Sequence, residues 1–275
     1  FPKHERAAHI FFDIGVIQER KRDWKAVIDH FKEYITKYGR RGPLDLRLMA
    51  GLKIGQALGH YKGEVQQRRA TQAYQDLVDF FNALKPEQLA TLTPPGIAAV
   101  AEARFILGEQ VLARAIDIRI TQRSLAEATA EKMQVLAEAK AIFEDVYNFD
   151  HPHWQIAALN RVGVSYADLA DAVETSPCPR ELSKEICEEY RLELAVKADA
   201  IRTTAIEFFR KCLETAREAQ WFNRFSDEAE QQLAQLDNSY RFTSEYRARP
   251  VYTRTYAYPS AFFFIDAEAE EKKAP

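Results

Sequence analysis

The side chains that most readily carry chemistry are few in this chain and widely spaced. Histidine occurs at 4, 9, 30, 60, 151 and 153, and only His151-Pro152-His153, with Asp150 before it, is close-set. These are suitable donor types for a divalent metal, but two histidines flanking a proline with no distant partner read as turn residues, so no metal site is expected. His-Glu-x-x-His, Gly-x-Ser-x-Gly, a phosphate-cradling glycine loop and a dinucleotide fingerprint are all missing. Glu188 and Glu189 are adjacent, and adjacent helical residues diverge by about 100°, so they do not share a site. No catalytic residue and no cofactor is assigned.

Cysteine occurs at 178, 187 and 212. Cys212 falls where a small buried residue is expected and reads as packing. Cys178 and Cys187 are separated by nine positions. In one continuous helix their Cα atoms would lie about 13 Å apart, against the roughly 4.4–6.8 Å of a disulfide. A bridge therefore requires the helix to break before about Ser183, and bridged or free thiols both remain open. A bridge would imply an oxidising compartment.

The elements that must position these groups are helical. Ten glycines and eleven prolines in 275 residues are too few for a fold that turns every eight to twelve residues. Apolar residues recur at helical spacing over 7–37, which forms a hairpin, and over 43–60, 65–84, 96–121, 124–148, 154–173, 180–218 and 223–236. Breaks fall at Gly39 to Pro43, Lys85-Pro86, Thr93 to Gly96, Asp150 to Pro152 and Thr175 to Pro177. The predicted class is all-α. A formal net charge of −3 gives no overall cationic footprint for nucleic acid, and no apolar run approaches the length of a membrane span.

Glycine placement reveals a repeat. An aliphatic residue precedes glycine at Ile14-Gly15, Ile54-Gly55, Leu107-Gly108 and Val162-Gly163, each in the first helix of a hairpin. The second helices carry matching ladders, Val27/Phe31/Tyr34, Leu77/Phe81/Leu84, Ala139/Phe143/Val146 and Ala205/Phe209/Cys212. Glycine inside a helix costs about 1 kcal/mol relative to alanine, so four in equivalent places need a reason. A neighbouring aromatic ring lying against the bare backbone supplies one. The glycine-to-aromatic interval grows along the chain, from 16 through 26 and 35 to 46 residues, as tip insertions that lengthen both helices would make it do.

These features resemble the tetratricopeptide-repeat family, whose unit has Leu-Gly in its first helix and an alanine/aromatic ladder in its second. The likeness covers roughly 7–236 and is sharpest in the first hairpin, where Trp24 opens the second helix. It implies an α-solenoid of about four hairpins, the later ones elongated, closed by a capping helix. It also implies a partner-binding groove lined by the first helices, here Phe12, Val16, Glu19, Gln56, Phe105, Glu109, Asn160 and Val164, with Leu52, Leu112 and Ala167 at related positions. The Lys and Asn of the family's carboxylate clamp are replaced by Phe12/Val16 and Leu52/Gln56, so a segment with apolar anchors is the expected ligand.

The texture changes after Leu236. The chain is expected to divide into a repeat domain (1–236), an extended aromatic and basic segment (237–265) and a disordered tail (266–275). Tyr246, Arg249, Tyr252, Arg254 and Tyr256 are the expected docking residues of the second part, on a partner or on the solenoid itself. The expected function is a non-enzymatic protein-interaction scaffold, with protein partners and no nucleic acid. The alternatives are a helical accessory domain of an enzyme and a nucleic-acid adaptor acting through the tail. Because the chain begins at Phe1 rather than Met, an upstream piece is expected to have been removed, and any signal peptide or lipid anchor would have gone with it. The elongated third and fourth hairpins resemble those of bacterial envelope tetratricopeptide proteins, including ones of secretion, outer-membrane assembly and gliding motility. With the missing start and the Cys pair, that resemblance implies assembly of a multiprotein complex in the periplasm or cell envelope, with the cytoplasm as the alternative.

Overall fold

The computed structural model describes residues 6–241, so the tail positions Tyr246, Arg249, Tyr252, Arg254 and Tyr256 and the stretch 266–275 lie outside the described residues. The chain divides into units 1–237 and 238–275. In the described part of the second, Arg241 donates to the backbone carbonyls of Asn238 and Tyr240.

The first unit is all-α among the described residues. Its helices are α1 (Ala7–Arg20), α2 (Trp24–Tyr38), α3 (Leu44–Gly59), α4 (Glu64–Asn82), the single turn α5 (Pro86–Leu89), α6 (Pro94–Asp117), α7 (Leu125–Tyr147), α8 (Pro152–Glu174), α9 (Lys184–Glu218) and α10 (Arg224–Leu236). Helices α1/α2, α3/α4, α6/α7 and α8/α9 are hairpins, and α2, α4, α7 and α9 each pack on the first helix that follows. The first helices α1, α3, α6, α8 and α10 also touch in series, which makes a solenoid in which α10 is the last of these helices among the described residues. No helix among the described residues is long and apolar enough to cross a membrane.

Local signals explain several boundaries. Asp23 accepts from the Ala26 amide at the start of α2, and Asn223 accepts from Phe225 and Ser226 at the start of α10. Proline opens α6 and α8, where its missing N–H costs nothing. The start of α6 is also held from outside: Asp45 of α3 accepts from the amide and hydroxyl of Thr93 at 3.0 and 2.9 Å. A carboxylate there complements the positive end of the helix. Gly96 makes room for it, since a Cβ at 96 would stand 2.1 Å from Asp45 Oδ1.

The glycine contacts define the hairpins. A Cβ at Gly15 would meet Phe31 at 2.6 Å, and one at Gly108 or Gly163 would meet Phe143 or Phe209 at 2.7 Å in each case. The second hairpin differs from the expected pairing. Gly55 faces Tyr74, at 2.4 Å from a built Cβ, while Phe81 turns to Phe149 with ring centroids 5.5 Å apart. Residues 74 and 81 are two turns apart on one face, so periodicity alone does not separate them.

Pairing Gly163 with Phe209 fixes the register of α8 against α9, and places the end of α8 opposite residue 198. The salt bridge of Arg202 with Glu174 agrees with this register. Fourteen residues of α9 (184–197) thus project about 21 Å beyond α8. The tip insertion therefore lengthens mainly the second helix, with 35 residues in α9 against 23 in α8. The connection 175–183 runs back to this overhang, and Ser183 caps α9 by accepting from Ile186. That break brings Cys178 and Cys187 to a Cα separation of 5.9 Å, and they are bridged. Gln122, between α6 and α7, donates to the Cys178 carbonyl and ties the loop to the third hairpin.

The bridge closes a ten-residue loop, which in the chain-entropy model contributes about 3 kcal/mol. Because it lies beyond the Gly163/Phe209 contact, its loss should act locally. A Cys178→Ser/Cys187→Ser variant is expected to lose hydrogen-exchange protection over 184–195 and keep it around Phe209. Equal loss in both places would show that the overhang is not a separate unit.

At the other end of the fourth hairpin, His153 packs edge-on against Trp154 and Phe225, and its Nδ1 lies 3.3 Å from the Asn223 amide. Burial, followed by the charges of His151 and Arg224, holds His153 below its ordinary pKa of 6.5. The fold favours the neutral ring, so this contribution is complete above pH 6.5 and is lost as the pH falls below that value toward the lowered folded pKa. Melting temperature should therefore fall more steeply between about pH 7 and 5 in the native chain than in His153→Gln. Parallel profiles would contradict this role.

Candidate functional site

The first helices form a layer whose exposed side is the face expected to bind a partner. Two positions relative to each glycine organise it. Residues immediately after the glycine, Val16, Gln56, Glu109 and Val164, are half-buried and border the layer's surface. Residues three before it, Phe12, Leu52, Phe105 and Asn160, are buried. This corrects the expectation that Phe12, Phe105 and Asn160 line an open groove. A residue three back is only about 60° from the glycine, so it enters the same contact with neighbouring helices. Phe12 packs on Phe31 and Tyr34, and Phe105 on Phe143, Trp154 and Phe225. Asn160 donates to the Phe225 carbonyl at 3.1 Å, joining α8 to α10.

Polar pairs then cross from each first helix to the next. Lys53 of α3 donates to Glu19 of α1 at 2.7 Å, and Gln56 donates to Glu102 of α6 at 2.6 Å. Arg161 of α8 donates from Nε to Glu109 of α6 at 2.6 Å and from Nη1 to Glu228 of α10 at 2.9 Å. Its guanidinium also contacts Asn160 Oδ1 and lies over the Phe225 ring, 5.1 Å from the centroid. Glu19, Gln56 and Glu109 are thus at this surface, with polar ends already engaged by a neighbouring helix. Burial raises the Glu102 pKa, opposed by the Gln56 hydrogen bond and the Lys53 charge.

Lys53, Glu102, Arg161 and Glu228 were not among the residues singled out from the sequence. A signal for two of them exists. Lys53 and Arg161 both stand two residues before a repeat glycine, and each meets a carboxylate that follows the glycine of the preceding hairpin, Glu19 or Glu109. A buried cation, Lys132 of α7, reaches Asp168 of α8 at 2.6 Å and donates to the Ala115 carbonyl in the last turn of α6 at 2.8 Å. There it meets the negative end of a helix as well as a carboxylate.

The cysteine outside the bridge is sealed. Cys212 is fully buried, its Sγ lies 3.3 Å from the Ile156 carbonyl, and burial pushes its thiol up to about 12. Little of it is thiolate near neutral pH. No group of three or more His, Cys, Asp or Glu placed to hold a metal occurs among the described residues.

No protein-family profile matches the chain, and no curated protein matches it. A solved structure described as "Computational Design of Self-Assembling Cyclic Protein Homooligomers" aligns over 88% of this chain and 89% of that one, at 17% identity and a TM-score of 0.24. At that score the likeness carries no argument about this chain.

Proposed function

We propose that the chain is a non-enzymatic scaffold built of tetratricopeptide-type repeats, which holds protein partners on the layer of its first helices in a bacterial cell envelope. The observation that carries this reading is the cross-helix ladder from Glu19 to Glu228, which locks five first helices into one preformed surface. A surface ordered before binding loses less conformational freedom when a partner arrives. Val16 and Val164 border that surface as apolar contacts for an incoming segment. The Cys178–Cys187 bridge supports an oxidising location, since such bonds persist there.

A photo-crosslinking side chain placed at Val16 or Val164 in the native cell tests the reading. Discrete adducts to another protein from both positions, and none from Thr203 on the outer side of α9, are expected. Adducts from Thr203 alone would move the binding surface to the second helices.

A further inference from the structure

The second helices carry a separate surface. Helices α2 and α4 both pack on α3 without packing on each other, leaving a cleft of about 980 Å³ between them. Ile28, Ile54, Leu58 and Leu77 contribute its apolar lining. Lys25, Lys32, Arg47 and Arg69 also line it, against two acidic residues, Asp29 and Asp76. Lys25, Lys32 and Arg69 are exposed and make no ion pair among the described residues, and Arg47 lies flat on Phe80, 3.5 Å from its centroid. The chemistry that fits is an acidic amphipathic helix.

The chain itself presents such a helix. On the overhang of α9, Leu192 and Val196 are one turn apart and 69% and 71% exposed. At about 100° per residue, Glu185, Glu188 and Glu189 fall within about 60° of Leu192, while Lys184, Arg191 and Lys197 fall outside that arc. The stripe is thus acidic, apolar at its centre and free of cations, on an element that projects beyond its own hairpin.

We infer that this chain self-associates head to tail, the Leu192/Val196 stripe of one copy lying in the α2–α4 cleft of a second. Three glutamates then face Lys25, Lys32 and Arg69, and the two aliphatic side chains enter the apolar lining. Donor and acceptor are different surfaces, so the contact is heterologous and each added copy leaves one cleft and one stripe open. This inference is independent of the partner-binding face on the first helices.

Sedimentation velocity of the 31.6 kDa chain, run from about 1 to 200 μM at low and high salt, tests it. Average mass should rise with concentration, and the association should weaken at least about tenfold at high salt. Two variants at exposed positions, Leu192→Asp/Val196→Asp and Lys25→Glu/Lys32→Glu/Arg69→Glu, should each be monomeric with unchanged circular dichroism. Mixed, they should form a one-to-one dimer that grows no further, since only one intact stripe and one intact cleft remain. A native chain monomeric throughout the range, association that survives either variant, or a mixture that stays monomeric would each overturn the inference.

Discussion

Replacing Gly163 with valine should lower the unfolding free energy by about 3 kcal/mol, whereas Gly59→Ala should change it by no more than about 0.5 kcal/mol. Even the first carbon added at 163 would stand 2.7 Å from Phe209 Cε1 and 2.8 Å from Cδ1, and Phe209 is fully buried. The ring has no solvent to retreat into, so α8 and α9 must separate or the side chain must leave its rotamer. At Gly59 an added Cβ would meet nothing within 4 Å. Helix propensity disfavours glycine relative to alanine by about 1 kcal/mol at interior positions, so contact rather than propensity sets the loss at 163. Urea denaturation of both variants measures this. A double-mutant cycle of Gly163→Ala with Phe209→Leu isolates the cause, with a favourable coupling of at least about 1 kcal/mol expected. Additive effects would mean that the glycine does not serve the aromatic ring.

That contact was legible in the sequence because its two halves are chemically distinctive: a helix-interior glycine has a cost, and an aromatic in the ladder of the facing helix supplies the compensating contact. Three of the four pairings could be read in this way. The pairing of Gly55 failed because Tyr74 and Phe81 share a helix face, and choosing between them requires knowing how tightly the hairpin turns. Only four residues, 60–63, connect α3 to α4, so the nearer aromatic meets the glycine. The helix break that permits the Cys178–Cys187 bridge could be stated only as a condition, since spacing alone fits both bridged and free thiols. Phe12, Phe105 and Asn160 were misplaced for a different reason. Their angular position puts them at the edge between the layer's surface and its interior, and the helix packed beside them determines which side they face. The ladder of Lys53, Glu102, Arg161 and Glu228 was least legible, because charged residues on a helix ordinarily read as solvated outer faces. A charge becomes a structural cross-link only when the next hairpin brings its partner within reach.

Arg161→Ala should destabilise the solenoid by about 2–3 kcal/mol and release α10 first. The Arg161 side chain is 15% exposed and joins three helices, so its removal breaks two ion pairs and leaves Glu109 and Glu228 without the cation between them. Truncating one partner of a fully buried pair costs about 3–5 kcal/mol, and the value here is lower because the two carboxylates are about one-third exposed and can recover water. Arg161→Met keeps much of the aliphatic volume and should still lose most of the stability, which separates charge from packing. Hydrogen exchange should show amides of 226–236 exchanging faster in the variant at pH 7, with those of α3 and α4 unchanged. If α10 keeps its protection while overall stability falls, Arg161 acts mainly through Glu109, and α10 is held by Phe225 in its aromatic contacts with Phe105 and His153 and by the Asn160 hydrogen bond to its carbonyl.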